Sequence, residues 1–145
     1  MNAQELIKTL EWRYATKIFN PDRQIPAEDW EALLESLHLS PSSLGLQMWK
    51  FLDVQDPSVR SRLREVSWGQ PQVTDASHLV VFCARRDFKP EDVQRYLERI
   101  VEVRGVTMES LEQYRARIFE LVDSKSPEVL KAWLERQVYI ALGFM

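Results

Sequence analysis

Arg13 and Lys17 stand four residues apart in the string Arg13-Tyr14-Ala15-Thr16-Lys17, directly after an amphipathic stretch. An arginine guanidinium is a planar fork of donors that fits phosphate, and a lysine ammonium is a compact charge that can sit beside a developing anion. A second segment, Pro41-Ser42-Ser43-Leu44-Gly45-Leu46-Gln47, supplies hydroxyls, a bare backbone and an amide. A helix starting there would expose N–H groups able to bind phosphate or ring carbonyls. Together the segments look like two halves of a cradle for a phosphorylated, ring-bearing cofactor. Each also has a plain structural reading. Cations suit a helix C-terminus, where the dipole favours them, and Ser-Pro-Ser-Ser is a common way to begin a helix.

The other chemistry-bearing residues give less. His38 and His78 are not at ligand spacing with each other or with Cys83, so no metal site is expected. Cys83 is the only cysteine, which excludes an internal disulfide. Its place in an apolar run predicts an inert thiol. No Gly-x-Ser-x-Gly string is present. No catalytic acid, base or nucleophile is assigned.

Helices must position most of these groups. Asn2 can cap a helix with Leu6, Ile7 and Leu10 on one face, ending near Trp12 or Arg13. Phe19-Asn20-Pro21-Asp22 reads as a turn. Pro26 suits a first helical position, with Trp30, Leu33, Leu34 and Leu37 as the buried stripe and a stop before Ser40-Pro41. Trp49 to Val54 reads as a strand, and Asp56-Pro57 opens a helix through about Val66. His78 to Ala84 is a continuous apolar run, expected as a central strand covered on both faces. Lys89 to Arg104 predicts a helix stopped by Gly105. Thr107 can cap the next, with Met108, Leu111, Tyr114, Ile118, Phe119 and Val122 as its stripe, and Ser126-Pro127-Glu128 opens the last.

The chain has 145 residues and a net charge of −3, with 45% hydrophobic and 28% charged residues. That describes one globular domain with one core, spanning 1–145. A broad nucleic-acid footprint would need a clustered basic face. No apolar run reaches membrane-spanning length and no signal pattern opens the chain, so no membrane partner and a cytoplasmic location are expected. Val138-Tyr139-Ile140-Ala141-Leu142-Gly143-Phe144-Met145 grows steadily more apolar, as though the last helix were cut where it should be buried.

Four strings taken as a set resemble the FMN-dependent nitroreductase family, in its NAD(P)H-dependent oxidoreductase branch. They are Arg13-Tyr14-Ala15-Thr16-Lys17-Ile18-Phe19, Ser40 to Trp49, Gly69-Gln70-Pro71-Gln72 ahead of a strand, and Arg136-Gln137-Val138-Tyr139. The resemblance implies an α+β fold: an antiparallel-rich central sheet flanked by helices, mostly helical in this chain, with the C-terminal third absent. It implies FMN as cofactor, NAD(P)H as reductant, a homodimer built on the last helix, and a nitroaromatic or quinone-type acceptor.

The implied cofactor-binding residues are Arg13, Tyr14, Ala15, Lys17, Pro41, Ser42, Ser43, Gly45, Gln72 and Gln137. Arg13 would serve phosphate and ribityl, Lys17 the ring edge, and the Ser42 segment the isoalloxazine of the partner subunit. Gln72 would donate a neutral hydrogen bond to the ring, and the Gln137 amide would reach the ribityl region or act as an interfacial glutamine. Tyr96, Tyr114 and Phe119 fall on helices that cover the site in the family, or pack in the core. Met48 stands where the family usually has Pro, and Gly45 where some members have Asn. The missing third would carry a basic pair on the phosphate. Losing two charge-assisted contacts costs about 3–6 kcal/mol, or roughly 10²–10⁴ in affinity. A non-catalytic remnant dimerising through its last helix, and a related flavoenzyme such as a reductive dehalogenase, stand as alternatives.

Overall fold

Asn2 starts the first helix through a reciprocal cap. Its side-chain oxygen accepts the Glu5 N–H at 2.9 Å, and the Glu5 carboxylate accepts the Asn2 N–H at 2.7 Å. The structure, a computed structural model, describes residues 2–145; Met1 lies outside the described residues. In chain order the elements are α1 (Ala3–Trp12), α2 (Ala27–His38), a 3-10 turn (Ser43–Gly45), β1 (Trp49–Asp53), α3 (Pro57–Val66), α4 (Gln72–Asp75), β2 (Val80–Ala84), α5 (Pro90–Arg104), a second 3-10 turn (Glu109–Leu111), α6 (Glu112–Asp123) and α7 (Pro127–Phe144).

Most boundaries fall where local chemistry puts them. Asp56 caps α3 by accepting from Ser58 N–H at 2.7 Å and Val59 N–H at 3.2 Å. Gly105 ends α5 at φ 64°, a left-handed conformation that glycine adopts freely and that often stops a helix. Ser126 caps α7, with Pro127 just inside. Three expectations need correction. Pro26 is the cap of α2, not its first turn, because its ψ of 144° is extended. Thr107 does not cap α6: its hydroxyl accepts the Ser110 N–H at 3.3 Å at the preceding 3-10 turn, and the cap position of α6 is Leu111, which makes no side-chain cap bond. The string Gly69-Gln70-Pro71-Gln72, expected simply to lead into a strand, runs first into the one-turn helix α4 (Gln72–Asp75).

The described residues group into two compact units. One comprises residues 2–25 and Asp53–Leu79, and so holds α1, α3 and α4. Arg60, 8% exposed, straps α4 to α3: its Nε donates to Val73 O at 2.8 Å and its Nη2 donates to Ala76 O. Arg64 adds bonds to Gly69 O at 3.1 Å and Thr74 Oγ1 at 3.0 Å. The buried Arg60 guanidinium thus satisfies carbonyls of a segment too short to satisfy its own, while Arg64 holds the loop before it and the Thr74 hydroxyl. Leu6, Ile7 and Leu10 of α1 are exposed, so its apolar face is not covered.

The other unit comprises Pro26–Leu52 and Val80–Met145. Its two strands pair antiparallel, with Arg85 N–H donating to Met48 O at 3.1 Å. That register sets Phe51 opposite Phe82, whose rings meet edge-on at 5.1 Å. Helix α7 packs on β2 and α2. Leu97, Ile118 and Leu134 are fully buried, joined by Val93, Leu46, Met48 and Ile100. Burying each such side chain contributes roughly 1.5–3 kcal/mol. Of the expected α2 stripe, Leu37 is buried, Trp30 and Leu33 are half-buried and Leu34 is exposed. Strand β2 is not covered on both faces, since Val81 is 37% exposed. Its apolar run reflects the helix on one side of a two-stranded sheet, not a sandwich between layers.

Candidate functional site

Three of the six positive-φ residues among the described residues fall in the 42–47 loop. Leu44 sits at φ 56°, Gly45 at φ 66° and Gln47 at φ 47°. Holding Leu44 and Gln47 there costs about 1–3 kcal/mol each, so surrounding contacts must fix them. Gly45 N–H donates to Ser42 O at 2.9 Å, and Gln47 N–H donates to Ser42 Oγ at 2.9 Å. Gln47 Nε2 reaches back to His38 O at 3.1 Å, tying the loop to the end of α2.

Two longer-range contacts complete the hold. Gln137, on α7 and 7% exposed, accepts the Ser43 N–H through Oε1 at 2.8 Å. Its Nε2 donates to Trp133 O at 3.2 Å. Both ends of this carboxamide are therefore engaged within the chain, and what it addresses is the Ser43 backbone. Tyr96 and Tyr114 donate to Leu44 O at 2.9 and 2.5 Å. Burial, then the neighbouring Tyr114 hydroxyl, push the Tyr96 phenol well above its ordinary value, so it stays a donor. Both tyrosines also pack against the core, as does Phe119. The apolar period placed Tyr114 and Phe119 on the buried stripe; nothing in the sequence signalled that Tyr96 and Tyr114 share an acceptor. On the α6 side, Leu44 lines a cavity of about 620 Å³ with Gln113, Arg117 and Glu120 among its walls.

Ser42 and Ser43 are half-buried beside exposed Pro41 and Gly45. In the other unit, Arg13, Tyr14, Ala15 and Lys17 all lie on the surface after α1. No ion pair engages Arg13 or Lys17 among the described residues. Gln72, at the start of α4, is the one such case among the described residues: its Oε1 is buried without a hydrogen-bond partner. A buried acceptor left unsatisfied costs about 1–3 kcal/mol. The expected role for Gln72 was as donor; its orphaned end is the acceptor. Among the described residues, no three His, Cys, Asp or Glu gather as metal ligands. Cys83 is half-buried.

This architecture defines an α+β protein of nitroreductase-like fold. It superposes on a Bacillus subtilis structure, ydfN, with a TM-score of 0.81 at 17% identity, over 99% of this chain and 69% of that one. A structure from Exiguobacterium sibiricum, described as a "putative nitroreductase in complex with FMN", gives a TM-score of 0.79 at 18% identity, over 99% and 67%. The Nitroreductase family's sequence pattern matches residues 10–145, and the chain belongs to that family. Relatives from Staphylococcus aureus and Bacillus subtilis, both named "Putative NAD(P)H nitroreductase", are each 38% identical, over 98% and 97% of this chain. The chain spans 66% of the first relative's length and 67% of the second's.

Proposed function

We propose that the chain belongs to an FMN-dependent oxidoreductase that takes electrons from NAD(P)H and delivers them to a nitroaromatic or quinone-type acceptor. Family membership over residues 10–145 supports the class. The observation that carries the cofactor reading is Gln72 Oε1, a buried acceptor without a donor. A flavin ring presents an N–H on its pyrimidine edge and so fits that atom. When bound, FMN supplies a relay that accepts a hydride at N5 and passes electrons on at the same face.

The chain's own residues then bind and orient. Arg13 holds phosphate and ribityl oxygens, with the Tyr14-Ala15 backbone beside it. Lys17 places positive charge at the ring edge, where reduction builds negative charge, and so favours the reduced state. Ser42, Ser43 and Gly45, following Pro41, offer a loop whose shape is set before binding. Gln137 acts through Ser43, fixing that backbone rather than touching the cofactor. No protein acid or base is required by the chemistry. A homodimer through the face of α7 that exposes Tyr139, Leu142 and Phe144 goes with this reading, as does a cytoplasmic location. No described helix is long and apolar enough to cross a membrane.

The test is an FMN titration followed by flavin fluorescence, then NADPH or NADH oxidation with a nitroaromatic or quinone present. Quenching on binding and acceptor-dependent oxidation are expected. A protein that takes up no flavin overturns the reading.

A further inference from the structure

Tyr96 comes from α5 and Tyr114 from α6, yet both hydroxyls converge on one atom, Leu44 O, and lie 3.3 Å from each other. A carbonyl oxygen has two lone pairs and can take both donors. The residue they hold is the one non-glycine in the 3-10 turn with a left-handed backbone. The next residue, Gly45, has no room for a side chain: a Cβ there would lie 2.5 Å from the Tyr96 hydroxyl oxygen and 3.4 Å from Cζ. The hydroxyls and the glycine thus fit each other as a unit.

We propose that Tyr96 and Tyr114 are positioning residues, a two-helix clamp that keeps the Ser42–Gln47 loop in its strained shape before the cofactor arrives. The inference rests on the flavin reading above. A loop already ordered spares binding the loss of its conformational freedom, so affinity rises without a new contact to the ligand. Losing one hydroxyl leaves the Leu44 carbonyl held by a single bond, a weaker hold on the loop. Losing both frees the loop to relax toward ordinary backbone angles.

The experiment compares Tyr96→Phe, Tyr114→Phe, their combination, Gly45→Ala, and Gly45→Ala with Tyr96→Phe. Three quantities are read: thermal midpoint without flavin, FMN dissociation constant, and the visible absorbance of bound FMN. Each single Phe variant weakens FMN binding about threefold to tenfold, the effect of one neutral hydrogen bond. The double variant weakens it by more than the product of the singles and shifts the flavin absorbance, a signature that lower global stability does not produce. Gly45→Ala lowers the thermal midpoint, and lowers it less when Tyr96→Phe has removed the clashing oxygen. Unchanged FMN affinity and absorbance in the double variant, or in both singles should the double not fold, overturns the clamp. So does a Gly45→Ala penalty that is equal in both backgrounds. A wild-type protein that binds no FMN overturns the flavin reading and with it this role, an outcome distinct from wild-type binding that the variants fail to alter.

Discussion

Gln137 Oε1 accepts the Ser43 N–H at 2.8 Å across 94 positions of chain. It is the bond by which α7 sets the conformation of the loop after α2. The same carboxamide is anchored at its other end to Trp133 O, so its orientation is fixed by its own helix. Gln137→Leu removes the acceptor and leaves a half-buried N–H without a partner. Chemical denaturation should read a loss of about 1–3 kcal/mol. FMN affinity should fall with it. Unchanged stability would mean that water replaces the bond at no cost.

Lys17→Ala tests the charge assigned to the ring edge. The side chain is exposed and enters no ion pair among the described residues, so the thermal midpoint should not move. FMN should bind about 10- to 100-fold more weakly, the usual effect of a lost charge-assisted hydrogen bond. Stopped-flow reduction by NADPH should slow. Affinity and rate equal to wild type would remove Lys17 from the site.

Gln72→Leu should move stability and binding in opposite directions. Its Oε1 is buried with nothing to accept from. Replacing it with an apolar group of similar size relieves a penalty of about 1–3 kcal/mol in the flavin-free protein. The same change deletes the acceptor proposed for the ring N–H, so FMN affinity falls. Differential scanning calorimetry without flavin, beside an FMN titration, checks both signs. A stability loss in the absence of flavin would show that the atom is satisfied in solution.

Asp56 gives a pH dependence whose sign can be worked out. The Ser58 hydroxyl bond first, then the Val59 and Ser58 N–H bonds, hold its carboxyl below the ordinary value of 3.8. A group depressed on folding stabilises fully above its unfolded pKa and loses that contribution as pH falls through the folded one. Stability should therefore decline in the acid range below about 4, the model-peptide value for Asp. Asp56→Asn keeps a capping oxygen and should flatten that part of the profile. Denaturant midpoints between neutral and strongly acidic pH measure the difference.

What the sequence determined is what local chemistry decides. Asn2, Asp56, Gly105 and Ser126 mark helix ends because a cap needs one side chain or one left-handed residue a few positions from the bonds it satisfies. The apolar period of the 108–122 stripe found Ile118 and Val122 in the core for the same reason. The four-string resemblance likewise brought the fold class with it. Tertiary structure alone decided how the site is held. The Gln137–Ser43 bond closes over 94 positions, and the tyrosines reach Leu44 over 52 and 70. Nothing in leucine's identity announces φ 56°, because leucine adopts it only under external restraint. The orphaned oxygen of Gln72 was equally invisible, since burial of one atom depends on every neighbour that folding brings to it.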